Sequence, residues 1–144
     1  MFKKILVPTD GSVLSLKAIE GAIDYVKAGG GRLIGISVIE PYPYYMVSEA
    51  AAVAASSLAE FAEQFAQENL DAFVKLASSA GVEYETALAT DPSPWSAIVQ
   101  TAEARVCDAS FMASHGRKGL DAVLLGSQTQ KVLVHTKIPV LVYR

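Results

Sequence analysis

Short apolar segments alternate with amphipathic ones along the whole chain. The run Ile5-Leu6-Val7, which Pro8 ends, is apolar at every position rather than at every second one. Continuous apolarity is typical of a strand that is covered on both faces, as in a parallel sheet. Similar runs predict strands at residues 33–39, 108–113 and 138–143, and an alternating segment predicts one at 82–89. With helical segments between them, this order predicts an α/β fold, a mainly parallel five-stranded sheet with helices on both faces.

Cap residues and apolar spacing predict where the helices lie. The first helix ends at three glycines, residues 29–31, and the third begins with Ser93 as the N-cap and Pro94 as the first helical residue. Ser127 with Gln130 has capping-box spacing and opens the last helix, which runs to about His135.

The second helix is predicted at about residues 57–79. Ser57 and Glu60 have capping-box spacing at its start, and Ser48 is an alternative, earlier start. Its predicted buried stripe consists of Phe61, Phe65, Leu70, Phe73 and Leu76.

Composition excludes several classes of function. The chain has 144 residues, which predicts one domain, and 12 basic against 15 acidic residues, a net charge of −3. A mainly electrostatic nucleic-acid binder needs a basic surplus, so we expect no nucleic-acid partner. No apolar run approaches the roughly 20 residues of a membrane span, and Cys107 is the single cysteine. We therefore expect a soluble cytoplasmic protein with no membrane partner.

Ligands of open α/β sheets bind beyond the carboxyl ends of the strands. Two of the segments at those ends, residues 8–12 and 113–127, are rich in Gly, Ser, Thr and Asp. Backbone N–H groups where Gly126-Ser127 enters a helix, with Arg117 and Lys118 nearby, suit an anion. Taken alone, Gly126-Ser127 also fits an ordinary helix cap and Gly116 an ordinary turn. The fingerprints of P-loop NTPases, dinucleotide-binding folds and serine hydrolases are absent.

Two motifs together carry a resemblance over essentially the whole chain. Ile5-Leu6-Val7-Pro8-Thr9-Asp10-Gly11-Ser12 is followed far downstream by Met112-Ala113-Ser114-His115-Gly116, nine residues, Gly126-Ser127, and Ile138-Pro139-Val140-Leu141-Val142. This pattern resembles the universal stress protein family. The resemblance implies one domain over residues 1–144, strand order 3-2-1-4-5, and a homodimer through the C-terminal strand Ile138–Val142. It also implies binding of ATP with Mg²⁺ or Mn²⁺, since the nucleotide-binding branch carries G-x-x-G-x9-G-[ST].

The sequence departs from that motif at its first glycine, which is Ala113. If residue 113 keeps a strand conformation, the added methyl costs little, whereas a positive φ would cost roughly 1–2 kcal/mol. Because Ala113 ends the fourth predicted strand, we expect the mild case.

The resemblance implies roles for the residues of both motifs. Asp10 would face the ribose or a cation, Val38 would offer backbone groups to the adenine edge, and Met112 and Ala113 would line adenine and ribose. Residues 114–117 would track the phosphates, and residues 126–129 would give them N–H and hydroxyl donors. No metal site made by the protein alone is expected; a Mg²⁺ ion would be bridged by phosphates near Asp10. The full expected cofactor-binding set is Pro8, Thr9, Asp10, Val38, Met112, Ala113, Ser114, His115, Gly116, Arg117, Gly126, Ser127, Gln128 and Thr129.

Other interpretations of these residues stay open. No catalytic base stands near the phosphate loop, so we expect a stress-response regulator with slow or no hydrolysis. The alternative is a dimeric stress protein that acts through protein contacts without nucleotide. A phosphoryl-accepting receiver domain would use Asp10 and Asp91, but the chain lacks the partner acid and the lysine after strand five. Asp10 could also serve only as a helix cap, and Tyr42, Tyr44 and Tyr45 could cover the adenine or contact a second subunit.

Overall fold

The predicted strands and helices form one parallel sheet with helices on both faces. The computed structural model describes residues 1–41, 48–117 and 125–144. Its elements in chain order are β1 (Lys4–Pro8), α1 (Val13–Gly29), β2 (Arg32–Ile39), α2 (Glu49–Ser79), β3 (Glu83–Thr90), α3 (Pro94–Ala104), β4 (Ala109–Ala113), α4 (Ser127–His135) and β5 (Val140–Tyr143). The strand order is β3-β2-β1-β4-β5, and every neighbouring pair is parallel. The predicted fold class and strand order are confirmed.

Both faces of the sheet are buried, which accounts for the continuous apolar runs. Ile5 and Val7 of β1 and Phe111 of β4 pack toward α1 and α2, together with Ile19 and Phe73. The residues between them point to the other face. There Leu6 and Met112 pack with Ile98 of α3, Val132 of α4 and the buried Cys107. Cys107 and Phe111 are thus core residues, whereas Trp95 is only half-buried.

Helix α2 begins earlier than its preferred predicted start. Ser48 is the N-cap, and its hydroxyl accepts a hydrogen bond from the N–H of Ala51 at 3.4 Å, so the alternative start is confirmed and Ser57 lies within the helix. Although α2 has 31 residues, no helix in the described ranges is both long and apolar enough to cross a membrane.

The buried stripe of α2 also differs from the predicted one. Phe61 is 67% exposed, so its place in the core was wrong. The buried apolar residues in the described part of α2 are Ala55, Ala66, Leu70, Phe73 and Ala77, and three of these five are alanines. Alanine lets a helix approach the sheet closely, so Phe65, one position from Ala66, is only partly buried at the margin.

Helix α4 is capped differently from the sequence prediction. Gly126 is the N-cap and Ser127 is the first helical residue, with no side-chain hydrogen bond at the cap. The predicted capping box is therefore wrong. Its glutamine, Gln130, bonds instead to the carbonyl of Leu125. Gly126 holds this position because its own N–H donates to the Ser114 carbonyl at 2.6 Å, which fixes the helix start against the end of β4.

Helix α3 ends in a Schellman motif built on a valine. The N–H of Cys107 donates to the carbonyl of Ala102, and the N–H of Val106 donates to that of Glu103. Val106 therefore has a φ of 53°, and it is the one residue other than glycine in the described ranges with a positive φ. Glycine is the usual residue here, because a β-carbon is disfavoured in this conformation.

The two edges of the sheet have different surfaces. Strand β3, at one edge, carries Glu83 and Glu85, which form ion pairs with Arg32 and Arg105 at 2.9–3.5 Å. Strand β5, at the other edge, has the sequence Val-Leu-Val-Tyr. Charges along an edge strand oppose pairing with another strand, so β5 is the edge that is open to pairing.

Candidate functional site

A cleft of about 540 Å³ lies at the carboxyl ends of the strands, where β1 and β4 lie side by side. The strand order reverses at this point, which is where open α/β sheets bind ligands. Residues from both sequence motifs meet there, although about 100 residues separate them along the chain. All predicted binding residues except Ser114 line the cleft, namely Pro8, Thr9, Asp10, Val38, Met112, Ala113, His115, Gly116, Arg117, Gly126, Ser127, Gln128 and Thr129.

Ser114 is buried beneath the loop that begins there. Its N–H donates to the Tyr143 carbonyl at 2.7 Å, and its carbonyl accepts from Gly126. Its hydroxyl lies 3.1 Å from Nδ1 of His115. Ser114 thus fastens the loop to β5 and α4 rather than facing the cleft.

Asp10 is held in place as a charged carboxylate. Its Oδ1 accepts from the N–H of Ser12 at 3.0 Å, and its Oδ2 accepts from the N–H of Arg117 at 2.8 Å. Burial pushes the pKa of Asp10 upward, but hydrogen bonds from Ser12, Arg117 and Ser15 outweigh it, so the pKa lies below its ordinary value. Asp10 therefore both supports the turn before α1 and joins the two motifs.

The Arg117 side chain lies across the loop between β1 and α1. Its Nε donates to the Asp10 carbonyl at 2.7 Å, and Nη2 donates to the Gly11 carbonyl at 3.0 Å. The guanidinium also lies over the Phe65 ring, 4.9 Å from the ring centre. Since a guanidinium has five N–H donors, three remain for a ligand. Lys118, the other predicted cation, and the tyrosines 42, 44 and 45 lie outside the described residues.

The start of α4 presents free backbone donors to the cleft. No hydrogen bond within the described ranges occupies the N–H groups of Ser127, Gln128 or Thr129. Their side chains are partly used elsewhere. The Thr129 hydroxyl donates to the Ala113 carbonyl at 2.9 Å, and Oε1 of Gln128 accepts from the N–H of Trp95 at 3.0 Å. The donors left for a ligand at this helix start are therefore chiefly backbone groups.

The motif glycines allow the two loops to approach each other closely. A β-carbon on Gly126 would lie 2.9 Å from Cα of His115 and 3.0 Å from the Ser114 carbonyl oxygen. A β-carbon on Gly116 would overlap the Asp10 carboxylate. Ala113 ends β4 without a positive φ, so the expectation that this position keeps a strand conformation is confirmed.

Several lining residues lie outside the predicted motifs. The apolar wall includes Ile39 of β2, Ile98 of α3 and Phe65 of α2, and the polar residues Ser37 and Asn69 line the cleft as well. The sequence signal for Asn69 was a polar residue within the buried stripe of α2, between Ala66 and Leu70.

The described residues give little support for three other kinds of site, namely a metal centre, a phosphorylated aspartate and a nucleophilic cysteine. No group of three or more His, Cys, Asp or Glu residues among them is placed to hold a metal ion. Asp91, which a receiver domain would phosphorylate, does not line the cleft and accepts a hydrogen bond from the N–H of Ser93 at 2.8 Å. Burial raises the pKa of the Cys107 thiol, which suits a core residue better than a nucleophile.

Comparison with known proteins identifies the family. The chain is 33% identical to a universal stress protein of Methanocaldococcus jannaschii, covering all of this chain and 83% of that protein. It is also 33% identical to one from Thermus aquaticus, covering both chains completely. A crystal structure of a universal stress protein in complex with cAMP has the same fold, with 24% identity, a TM-score of 0.69, and coverage of 99% of this chain and 97% of that one. The model of the universal stress protein family matches residues 1–144, and the chain belongs to this family.

Proposed function

We propose that this protein binds ATP with Mg²⁺ or Mn²⁺ in the cleft and acts as a stress-response regulator. The observation that carries the proposal is the start of α4, where no side chain caps the helix. Three consecutive backbone N–H groups there lack a partner in the described ranges and border the cleft that also holds Asp10 and Arg117. Such a helix start favours an anion, and a triphosphate satisfies its donors.

Phosphate contacts alone are too weak to account for useful affinity. A helix dipole contributes about 0.3–1 kcal/mol, and up to ~2 when partly buried, whereas micromolar binding needs about 8 kcal/mol. The base must therefore contribute by burial against the apolar wall of Val38, Ile39, Ile98 and Met112. The relative that binds cAMP, also an adenine nucleotide, supports this assignment.

The lowered pKa of Asp10 favours slow or absent hydrolysis. An effective general base has a pKa near the working pH, whereas the pKa of Asp10 is lowered and both of its oxygens already accept hydrogen bonds. A cation bridged by the phosphates near Asp10 would neutralise ligand charge. We therefore propose a binding module rather than an efficient enzyme.

We also propose that the protein forms a homodimer through Ile138–Val142. Strand β5 is an uncharged edge, and its Leu141 is 41% exposed. Pairing with the same strand of a second subunit would satisfy the backbone groups of this edge.

Isothermal titration of the wild-type protein with Mg-ATP tests the binding proposal. We expect saturable heat in the micromolar range. Gly126→Ala should weaken binding about tenfold or more, because its β-carbon displaces the backbone at residues 114–115. Gly29→Ala is the control, since Gly29 lies in helix α1 outside the cleft and a β-carbon there meets only the side chain of the exposed Met1. Absence of heat from the wild type at high micromolar ATP would refute the proposal and favour action through protein contacts.

A further inference from the structure

Two buried polar side chains in the cleft have no hydrogen-bond partner among the described residues. Ser37 is 3% exposed and Asn69 is 7% exposed, and both line the cleft. The other buried polar side chains in the described ranges are all hydrogen-bonded, namely Thr9, Ser15, Ser110, Ser114 and Thr129. Burying a polar group without a hydrogen-bond partner is costly, so we expect a ligand to supply the missing hydrogen bonds of this pair.

The polar atoms of this pair are open to the cleft. No side-chain nitrogen or oxygen in the described ranges is both fully inaccessible and without a partner. The Ser37 hydroxyl and the Asn69 carboxamide must therefore retain some access to the cleft that they line. Their hydrogen-bonding capacity is available to whatever enters it.

Ser37 and Asn69 lie in the same layer between β2 and α2. The Phe73 ring occupies the space that a β-carbon on Gly35 would take, so these two residues are directly opposed. Ser37 is two residues beyond Gly35, about 6.6 Å along the strand, on the same face. Asn69 is four residues before Phe73, about 6 Å along the helix in the same direction, because α2 returns antiparallel to the strand. The two side chains therefore face each other across the cleft end of this layer.

The chemistry of the pair matches a sugar rather than a phosphate. A serine hydroxyl and an asparagine amide are neutral, and each both donates and accepts hydrogen bonds. A ribose hydroxyl does the same, whereas a phosphate offers acceptors only. Building on the proposed function, we propose that Ser37 and Asn69 bind the ribose hydroxyls, so that the cleft prefers ribonucleotides to nucleotides that lack those hydroxyls.

The test compares ATP with 2′,3′-dideoxy-ATP by isothermal titration. We expect the wild type to bind ATP about tenfold or more tightly than the dideoxy analogue, since each neutral hydrogen bond contributes roughly a fewfold to tenfold in affinity. Ser37→Ala and Asn69→Ala should each lower ATP affinity, leave the affinity for the analogue nearly unchanged, and so reduce the ratio. Because the ratio is measured within each variant, a general disturbance of the fold would not change it.

Gln67→Ala and Ser57→Ala are the matched controls. Both residues are exposed on α2, so these substitutions remove an amide and a hydroxyl at positions that do not line the cleft. They should keep the wild-type ratio. Equal affinity of the wild type for ATP and the analogue would overturn the ribose assignment while ATP binding stands. So would equal losses of both ligands in the two cleft variants. A wild type that binds neither ligand would instead refute the proposed function.

Discussion

Val106 has a φ of 53° at the end of α3, a conformation that costs a residue with a β-carbon about 1–2 kcal/mol relative to glycine. Its side chain is 78% exposed, so replacing it removes little packing. Glycine brings its own cost of roughly 0.5–1 kcal/mol, because its unfolded chain is more flexible. We therefore expect Val106→Gly to raise the free energy of unfolding by about 0.5–1 kcal/mol, or the melting temperature by about 2–4 °C.

Thermal and urea unfolding at one fixed protein concentration would measure this change. Val53→Gly is the matched control, because Val53 is similarly exposed, at 74%, but lies inside α2. There, glycine should lower stability by about 0.5 kcal/mol. Val106→Ala keeps a β-carbon at the same φ, so it should gain less stability than Val106→Gly. A Val106→Gly protein no more stable than the wild type would refute the strain argument.

Three further predictions concern the cleft and the sheet edges. Because the pKa of Asp10 is lowered in the folded state, its charge stabilises the protein at pH values above the unfolded pKa of about 3.9. The difference in unfolding free energy between wild type and Asp10→Asn should be constant above pH 5 and shrink as the pH falls below about 4. A difference that stays constant at low pH would contradict this prediction. Ala113→Gly should change ATP affinity by no more than about threefold and lower the free energy of unfolding by about 0.5–1 kcal/mol, since the strand conformation already suits alanine. Tighter ATP binding of the variant by titration would show that the methyl group obstructs the ligand. Leu141→Lys on β5 should give a monomer in light scattering at micromolar concentration, whereas Leu88→Lys on β3, the control, should leave the proposed dimer intact. A wild-type protein that is itself monomeric would refute the pairing of β5 strands.

The strands of the sheet could be predicted because the apolar run that marks each strand lies within a few consecutive residues. Strands such as β1 and β4 are buried on both faces, and this leaves an uninterrupted apolar signature in the sequence. The start of α2 was harder to place, because residues 50–55 are alanine and valine and favour a helix without marking its first turn. The buried face of α2 was misplaced because Ala66 and Ala77, rather than Phe61, approach the sheet.

The cleft was only partly predictable, because some of its contacts join residues that are far apart in the sequence. Its loops could be located because strand ends and glycines mark them. The bonds from Arg117 to Asp10 and Gly11 join residues more than 100 positions apart, which no local pattern reveals. Ser37 and Asn69 lie within a strand and a helix, where polar residues are ordinarily assigned to a solvent-facing side. Only the packing of α2 on β2 brings them to the cleft.

The unequal edges of the sheet would limit assembly beyond the proposed dimer. Two subunits joined through β5 would share one continuous sheet, and both of its outer strands would then be β3. The ion pairs of Glu83 and Glu85 with Arg32 and Arg105 would border that sheet at each end. A third copy would find no uncharged edge strand to pair with, so the charges that pair within one subunit would block growth into a filament.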